Sequence, residues 1–168
     1  MIPVFQADER TAWARAPGVT VWLVEPSTML TVLDPNTHVA VEIAEMMIES
    51  THDALHQLIR ESGRSALFFH DFRGGVSHDS RIRGAFGRWP IRFGRDKIAA
   101  IHVVMDPSAP RLAKMAASGV ELAVAVLGFT YKTYWTSSEF AAILPRDVTT
   151  GTAKAVLRSG ARVPLRGT

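Results

Sequence analysis

The chain has 168 residues, 47% hydrophobic and 21% charged, with a formal net charge of +3, which suits one ordinary domain able to bury a complete core. It contains no cysteine, so disulfides, thiolate metal sites and cysteine nucleophiles are excluded. No stretch reaches the ~18 consecutive apolar residues of a membrane span, since the longest apolar segment, residues 120–129, is interrupted by Glu121 and Gly128. The N-terminus lacks a basic start followed by an apolar run and is not read as a secretory signal. A cytoplasmic location is the expectation.

Residues 1–18 are mixed and end in the breaker Ala16-Pro17-Gly18, an N-terminal extension. VTVWLVE (19–25) and TMLTVL (28–33) flank Pro26-Ser27 and predict a hairpin. Asp34-Pro35 looks like a cap followed by a first helical position. A long helix is therefore expected from about residue 36 to 62, with Ala44, Ile48, Leu55, Leu58 and Ile59 near one face. Gly63 ends it. SALFFHDF (65–72) reads as a buried strand broken by Gly74-Gly75. Ser77 or Asp79 is then placed to cap a second helix, 78–88, which Trp89-Pro90 stops. IAAIHVVM (98–105) is another buried strand. Asp106-Pro107-Ser108 starts a third helix that reaches Leu127, unless residues 121–127 form a strand instead. TYKTYW (130–135) is the last strand. Ser137 or Ser138 caps a short helix, stopped by Pro145.

The order β-β-α-β-α-β-α-β-α, with near-continuous apolar strands, predicts an α/β domain over residues 19–144. Its central sheet is mostly parallel and flanked by helices. Net charge is uneven: residues 145–168 hold Arg146, Lys154, Arg158, Arg162 and Arg166 against Asp147 alone. The basicity thus belongs to a C-terminal tail expected to be a solvated, partly flexible extension.

The most distinctive stretch is Asp71-Phe72-Arg73-Gly74-Gly75-Val76-Ser77-His78-Asp79-Ser80-Arg81-Ile82. With the element order, it resembles the STAS domain and its SpoIIAA-like relatives over residues 19–144. In that family a strand leads through Asp-Leu-x-Gly-Val-x-x-Ile-Asp-Ser-Ser-Gly-Leu into a helix. Asp71, Gly74, Asp79 and Ser80 fall in register with it, and YKTYWTSSEFAAIL resembles the domain's end. The residue phosphorylated in antagonists of this family corresponds to Arg81, and the glycine after it to Ile82. The resemblance therefore implies the fold without the usual phosphorylation switch, with Ser80 as a neighbouring hydroxyl for phosphorylation.

Seven basic residues (Arg73, Arg81, Arg83, Arg88, Arg92, Arg95 and Lys97) meet only Asp79 and Asp96 between positions 73 and 97. A helix start beside them would attract an anion. The expected function is a non-catalytic regulatory or protein-interaction domain of SpoIIAA-like type. Its partner-binding residues would be Arg73, Gly74, Ser77, His78, Asp79, Ser80, Arg81 and Arg83. One alternative is an anion, nucleotide or lipid-headgroup binder at the same loop. Another is a small hydrolase using His70, Asp71, His78 and Asp79. A Ser80-His70-Asp106 triad can be assembled on paper, but no Gly-x-Ser-x-Gly elbow, P-loop or dinucleotide fingerprint is present.

His52-Asp53-Ala54-Leu55-His56 matches the spacing of a zinc-binding helix, yet Glu45, Glu49 and Arg60 on that face read as an ordinary polar surface. No metal, cofactor or catalytic residue is assigned. Phe129, Tyr131, Tyr134 and Trp135 read as core packing, so no specific nucleic-acid surface is expected. The helix 111–127 carries Met115, Val120, Leu122, Val124 and Val126 on more than one face. Such a helix is deeply buried or shares an interface, and a homodimer seam or a lipid-facing groove would each use it.

Overall fold

The computed structural model describes residues 12–79, 81–82, 89, 91–149 and 153–154. In chain order the strands are β1 (Ala14–Ala16), β2 (Val19–Val24), β3 (Thr28–Leu33), β4 (Thr37–Val39), β5 (Ala66–Asp71), β6 (Gly75–His78), β7 (Ile98–Val104) and β8 (Tyr131–Tyr134). The helices are α1 (Val41–Ser62), α2 (Arg111–Val126), α3 (Ser137–Ile143) and α4 (Arg146–Thr149). Six strands form the main sheet in the order β1-β2-β3-β5-β7-β8. The hairpin end is antiparallel, and β3, β5, β7 and β8 run parallel. β4 and β6 pair with each other as a separate parallel ribbon.

Strand periodicity divides the core into two layers. Val19, Val21, Leu23, Met29 and Phe68 face one layer, where α1 contributes Met47, Leu55 and Leu58. Trp89 and Phe93 complete it, with Phe68 edge-on to both. Trp22, Val24, Leu30, Phe69 and Val104 face the other layer, which Phe140, Leu144 and Val148 close from α3 and α4. Adjacent phenylalanines on β5 thus serve opposite layers. Among the described residues, no helix is long and apolar enough to cross a membrane.

The sheet is the predicted one, mostly parallel after the hairpin, and Gly63 ends α1 as expected, with φ 66° and its N–H on the Ile59 carbonyl at 2.9 Å. Other boundaries differ. The long helix starts at Val41, not near residue 36, and Asp34 does not cap it. Asn36 takes φ 65°, which breaks a right-handed helix, and Thr37 is claimed by other partners. Its hydroxyl donates to the Asp34 carbonyl at 2.6 Å and its N–H donates to the Gly74 carbonyl at 3.0 Å.

The stretch expected to open a second helix at residue 78 is instead β6. Most of the rest of that expected helix lies outside the described residues. Asp106 closes a turn on the Ser108 N–H at 2.8 Å, and α2 begins later, at Arg111. Residues 121–126 are helical, which settles the helix–strand ambiguity. The cap of α3 is Thr136, whose hydroxyl accepts from the Glu139 N–H at 3.3 Å, rather than Ser137 or Ser138.

Some described residues beyond the expected bounds 19–144 pack on the domain. β1 adds a strand from within the expected extension. At the other end Val148 is buried, and Lys154 reaches Glu25 at 3.3 Å.

Phe68→Ala empties the space between α1 and the sheet. It is expected to lower the unfolding free energy by about 3–5 kcal/mol, read from urea denaturation.

Candidate functional site at the end of the fifth strand

β5 runs buried to its last residue, Asp71, a carboxylate in a place without water. Such a charge is tolerated only when paired and fully hydrogen-bonded. Arg73, two residues on, supplies the pairing. Its Nε donates to Oδ1 at 2.8 Å, its Nη2 to Oδ2 at 2.6 Å, and its backbone N–H to Oδ1 at 3.3 Å. Nη1 donates to the Ser137 hydroxyl at 2.6 Å, which ties the loop to the start of α3. The Asp71 hydrogen bonds raise the guanidinium above its ordinary range. Arg73 is only 9% exposed. The expectation that it would face a partner is therefore corrected: its fork is spent inside the domain.

Gly74 follows under the end of β3. A Cβ there would collide with the Leu33 and Asp34 carbonyl oxygens, so only glycine lets the chain pass. The Gly74 carbonyl then receives Thr37 and starts the ribbon. Along β6, Val76, Ser77 and His78 are exposed. Ser77 does not cap a helix. It stands beside His38 of β4, with its Oγ 2.7 Å from the imidazole Nδ1.

Asp79 closes the ribbon, its N–H on the Val39 carbonyl at 3.1 Å. Its Oδ1 accepts the Arg81 N–H at 2.9 Å, and its Oδ2 accepts Arg81 Nη2 at 2.7 Å. The side-chain bond from Arg81, then the backbone one, holds this carboxyl down to about 2. Ser80, with its expected phosphorylation, and Arg83 lie outside the described residues. So does Arg88.

The residues of the hydrolase alternative are not joined into a relay. Both oxygens of Asp71 are on Arg73. His70 stacks between Phe68 and Phe72. Its Nδ1 is buried with no hydrogen-bond partner. Burial, then the nearby His102, pushes the imidazole down to about 3. Among the described residues no hydrogen bond links His70 or Asp71 to His78 or Asp79, and Asp106 is engaged with the Ser108 N–H and hydroxyl.

The other histidines also have structural neighbours. His52 and His56 lie edge-on at 4.5 Å, both against Phe93. Among the described residues no group of three or more His, Cys, Asp or Glu side chains is placed to hold a metal. His102 stacks on Phe69 and meets the Tyr134 hydroxyl at 3.1 Å.

The sequence reading missed the ribbon and the His38–Ser77 contact. The β-branched Thr37 and Val39 flanking His38 were the available signal, but three residues are too few to show a period.

Arg73→Ala leaves Asp71 buried and alone, and should cost about 3–5 kcal/mol of stability in chemical denaturation. His70 sets an acid dependence. Unfolded, it takes up its proton near 6.5, and folded only near 3. Between those values the unfolded state binds more protons, so stability is full above 6.5 and falls as pH drops. The slope is about 1.4 kcal/mol per pH unit for the group. His70→Gln should flatten that part of a stability profile measured from pH 7 to 4.

No family model matches the chain, and no curated protein matches it. Among solved structures it is similar to an uncharacterised protein of the DUF3478 family with a SpoIIAA-like fold from Shewanella loihica. Identity is 11%, coverage is 76% of this chain and 94% of that one, and the TM-score is 0.50. The chain has a SpoIIAA-like fold.

Proposed function

We propose that the domain is a non-catalytic interaction module, working in the cytoplasm, that docks a protein partner on the β4–β6 ribbon and the turn through Arg81. The carrying observation is the ribbon itself. It is a short two-stranded element outside the main sheet that exposes Val76, Ser77 and His78 side by side, with Val76 65% exposed. Short exposed strands offer backbone groups and alternate side chains to an incoming chain. The buried Asp71–Arg73 pair beneath gives them a fixed base.

Charge favours a protein partner over a free anion at this loop. Arg73 is neutralised by Asp71, and Arg81 by Asp79. An anion would have to displace the buried Asp71 carboxylate from Arg73, and at Arg81 it would meet the charge of Asp79. The polar groups that remain outward, His38, Ser77 and His78, offer hydrogen-bonding groups around an apolar contact at Val76.

A photo-crosslinking residue at Val76, compared in the source cells with one at the exposed Gln57 of α1, tests the reading. One protein should be captured at Val76 and not at Gln57. In titrations of that captured protein, Val76→Asp and Arg81→Glu should each weaken binding by roughly tenfold or more, with unchanged melting temperature. Equal capture at both positions, or unchanged affinity in both variants, would contradict it.

A further inference from the structure

A helix at the rim of an α/β domain normally turns its apolar stripe inward and its charges to water. Among the described side chains of α2, several large apolar ones instead face outward. The inner face of the helix carries Lys114 and Glu121, each held by its own domain. Lys114 Nζ donates to the Pro107 carbonyl at 2.8 Å and lies over the Trp135 ring at 5.5 Å. Glu121 accepts the Thr133 N–H at 3.2 Å and pairs with Lys132 at 3.6 Å. Val124 reaches the core from this face as a partly buried apolar side chain. The outer face carries Met115, Leu122 and Val126, which are 63%, 68% and 80% exposed, with Val120 and Leu127 beside them. Five of the eight large apolar side chains exposed among the described residues are therefore on this helix and its last turn. Contiguous apolar patches of that kind mark interaction surfaces.

We infer that α2 is the seam of a twofold homodimer. Met115, Gly119, Leu122 and Val126 follow the i, i+4, i+7, i+11 spacing of a two-helix seam. An antiparallel twofold pairing centred between Val120 and Glu121 places Met115 of one copy across from Val126 of the other. It also places Gly119 across from Leu122. A small residue thus faces a large one twice, and a Cβ at Gly119 would meet nothing within 4 Å in the isolated chain, so the open space is there for the opposing leucine. Such a patch is complementary to itself, as an isologous interface requires.

Charge points to the same occupant. From Met115 to Leu127 the only charged residue is Glu121, which is turned inward, so two copies meet without like-charge repulsion. The basic tail is a poor match for this face. Arg158, Arg162 and Arg166 would find no carboxylate there. The helix is about 24 Å long at 1.5 Å per residue, and its outer face alone falls short of the ~800 Å² per partner of a standard interface. The expected association is therefore weak, with the neighbouring Leu127 adding to the contact at its edge.

Sedimentation velocity of the full-length chain across a concentration series tests the inference, with Leu122→Glu and Val126→Glu as variants. Both side chains are mostly exposed, so the fold should survive, and circular dichroism and the melting temperature of the diluted monomer check that. The wild type should shift from monomer to dimer with concentration. Each variant should weaken dimerisation by roughly a hundredfold or more, since each change acts twice across the twofold. A wild type that stays monomeric at every concentration overturns the inference. So does a dimer whose affinity is unchanged in both folded variants, because it would have to use another surface.

Discussion

The buried Asp71–Arg73 pair is the constraint on which the loop end of this domain depends. It sits where the central strand of a parallel sheet runs out, the place where α/β folds build their sites. A carboxylate there must be met by a cation, and the cation comes from the chain's next turn. That choice fixes the path of the loop. Arg73 turns inward, Gly74 slips beneath the Leu33 and Asp34 carbonyls, and the chain emerges directed at Thr37. The ribbon, the Ser77–His38 contact and the Asp79 turn follow from that exit. Ser137 joins the pair to α3, so the second core layer and the loop share one anchor.

Much of the fold was legible in the sequence because long apolar runs and strong punctuation agree. The hairpin around Pro26, β5, β7, β8 and the end of α1 at Gly63 all came from local signals. Asp34-Pro35 misled because it imitates a helix start. What overrides it is non-local: Asn36 adopts a left-handed conformation and Thr37 bonds to Gly74, far along the chain. β4 and β6 are three and four residues long, too short for periodicity to register. The reading that the basic stretch from 73 to 97 faces outward fared unevenly for a related reason. Composition counts charges without saying which ones a buried acid has already claimed.

The SpoIIAA-like resemblance carried the fold and stopped there. The loop keeps Asp71 and Gly74, and these are the residues with structural duties: a charge to be paired and a backbone to be passed. By the sequence resemblance alone, Arg81 and Ile82 correspond to the switch positions of STAS antagonists. Arg81 is a partner of Asp79. Asp71 and Gly74 thus serve the architecture of the loop, while Val76, Ser77 and His78 face outward beside His38. The apolar outer face of α2 lies on a different element, so a docking ribbon and a dimer seam need not compete.

The central claim is that the Asp71–Arg73 fork holds the ribbon in place. Amide hydrogen exchange on the full chain, wild type against Arg73→Lys, measures it directly, since lysine keeps the charge and loses the planar fork. The account predicts faster exchange at Thr37 and Asp79, whose N–H groups close the ribbon, with protection in β2 and α1 retained. Unchanged exchange at Thr37 and Asp79 would contradict it and leave the ribbon standing on other contacts.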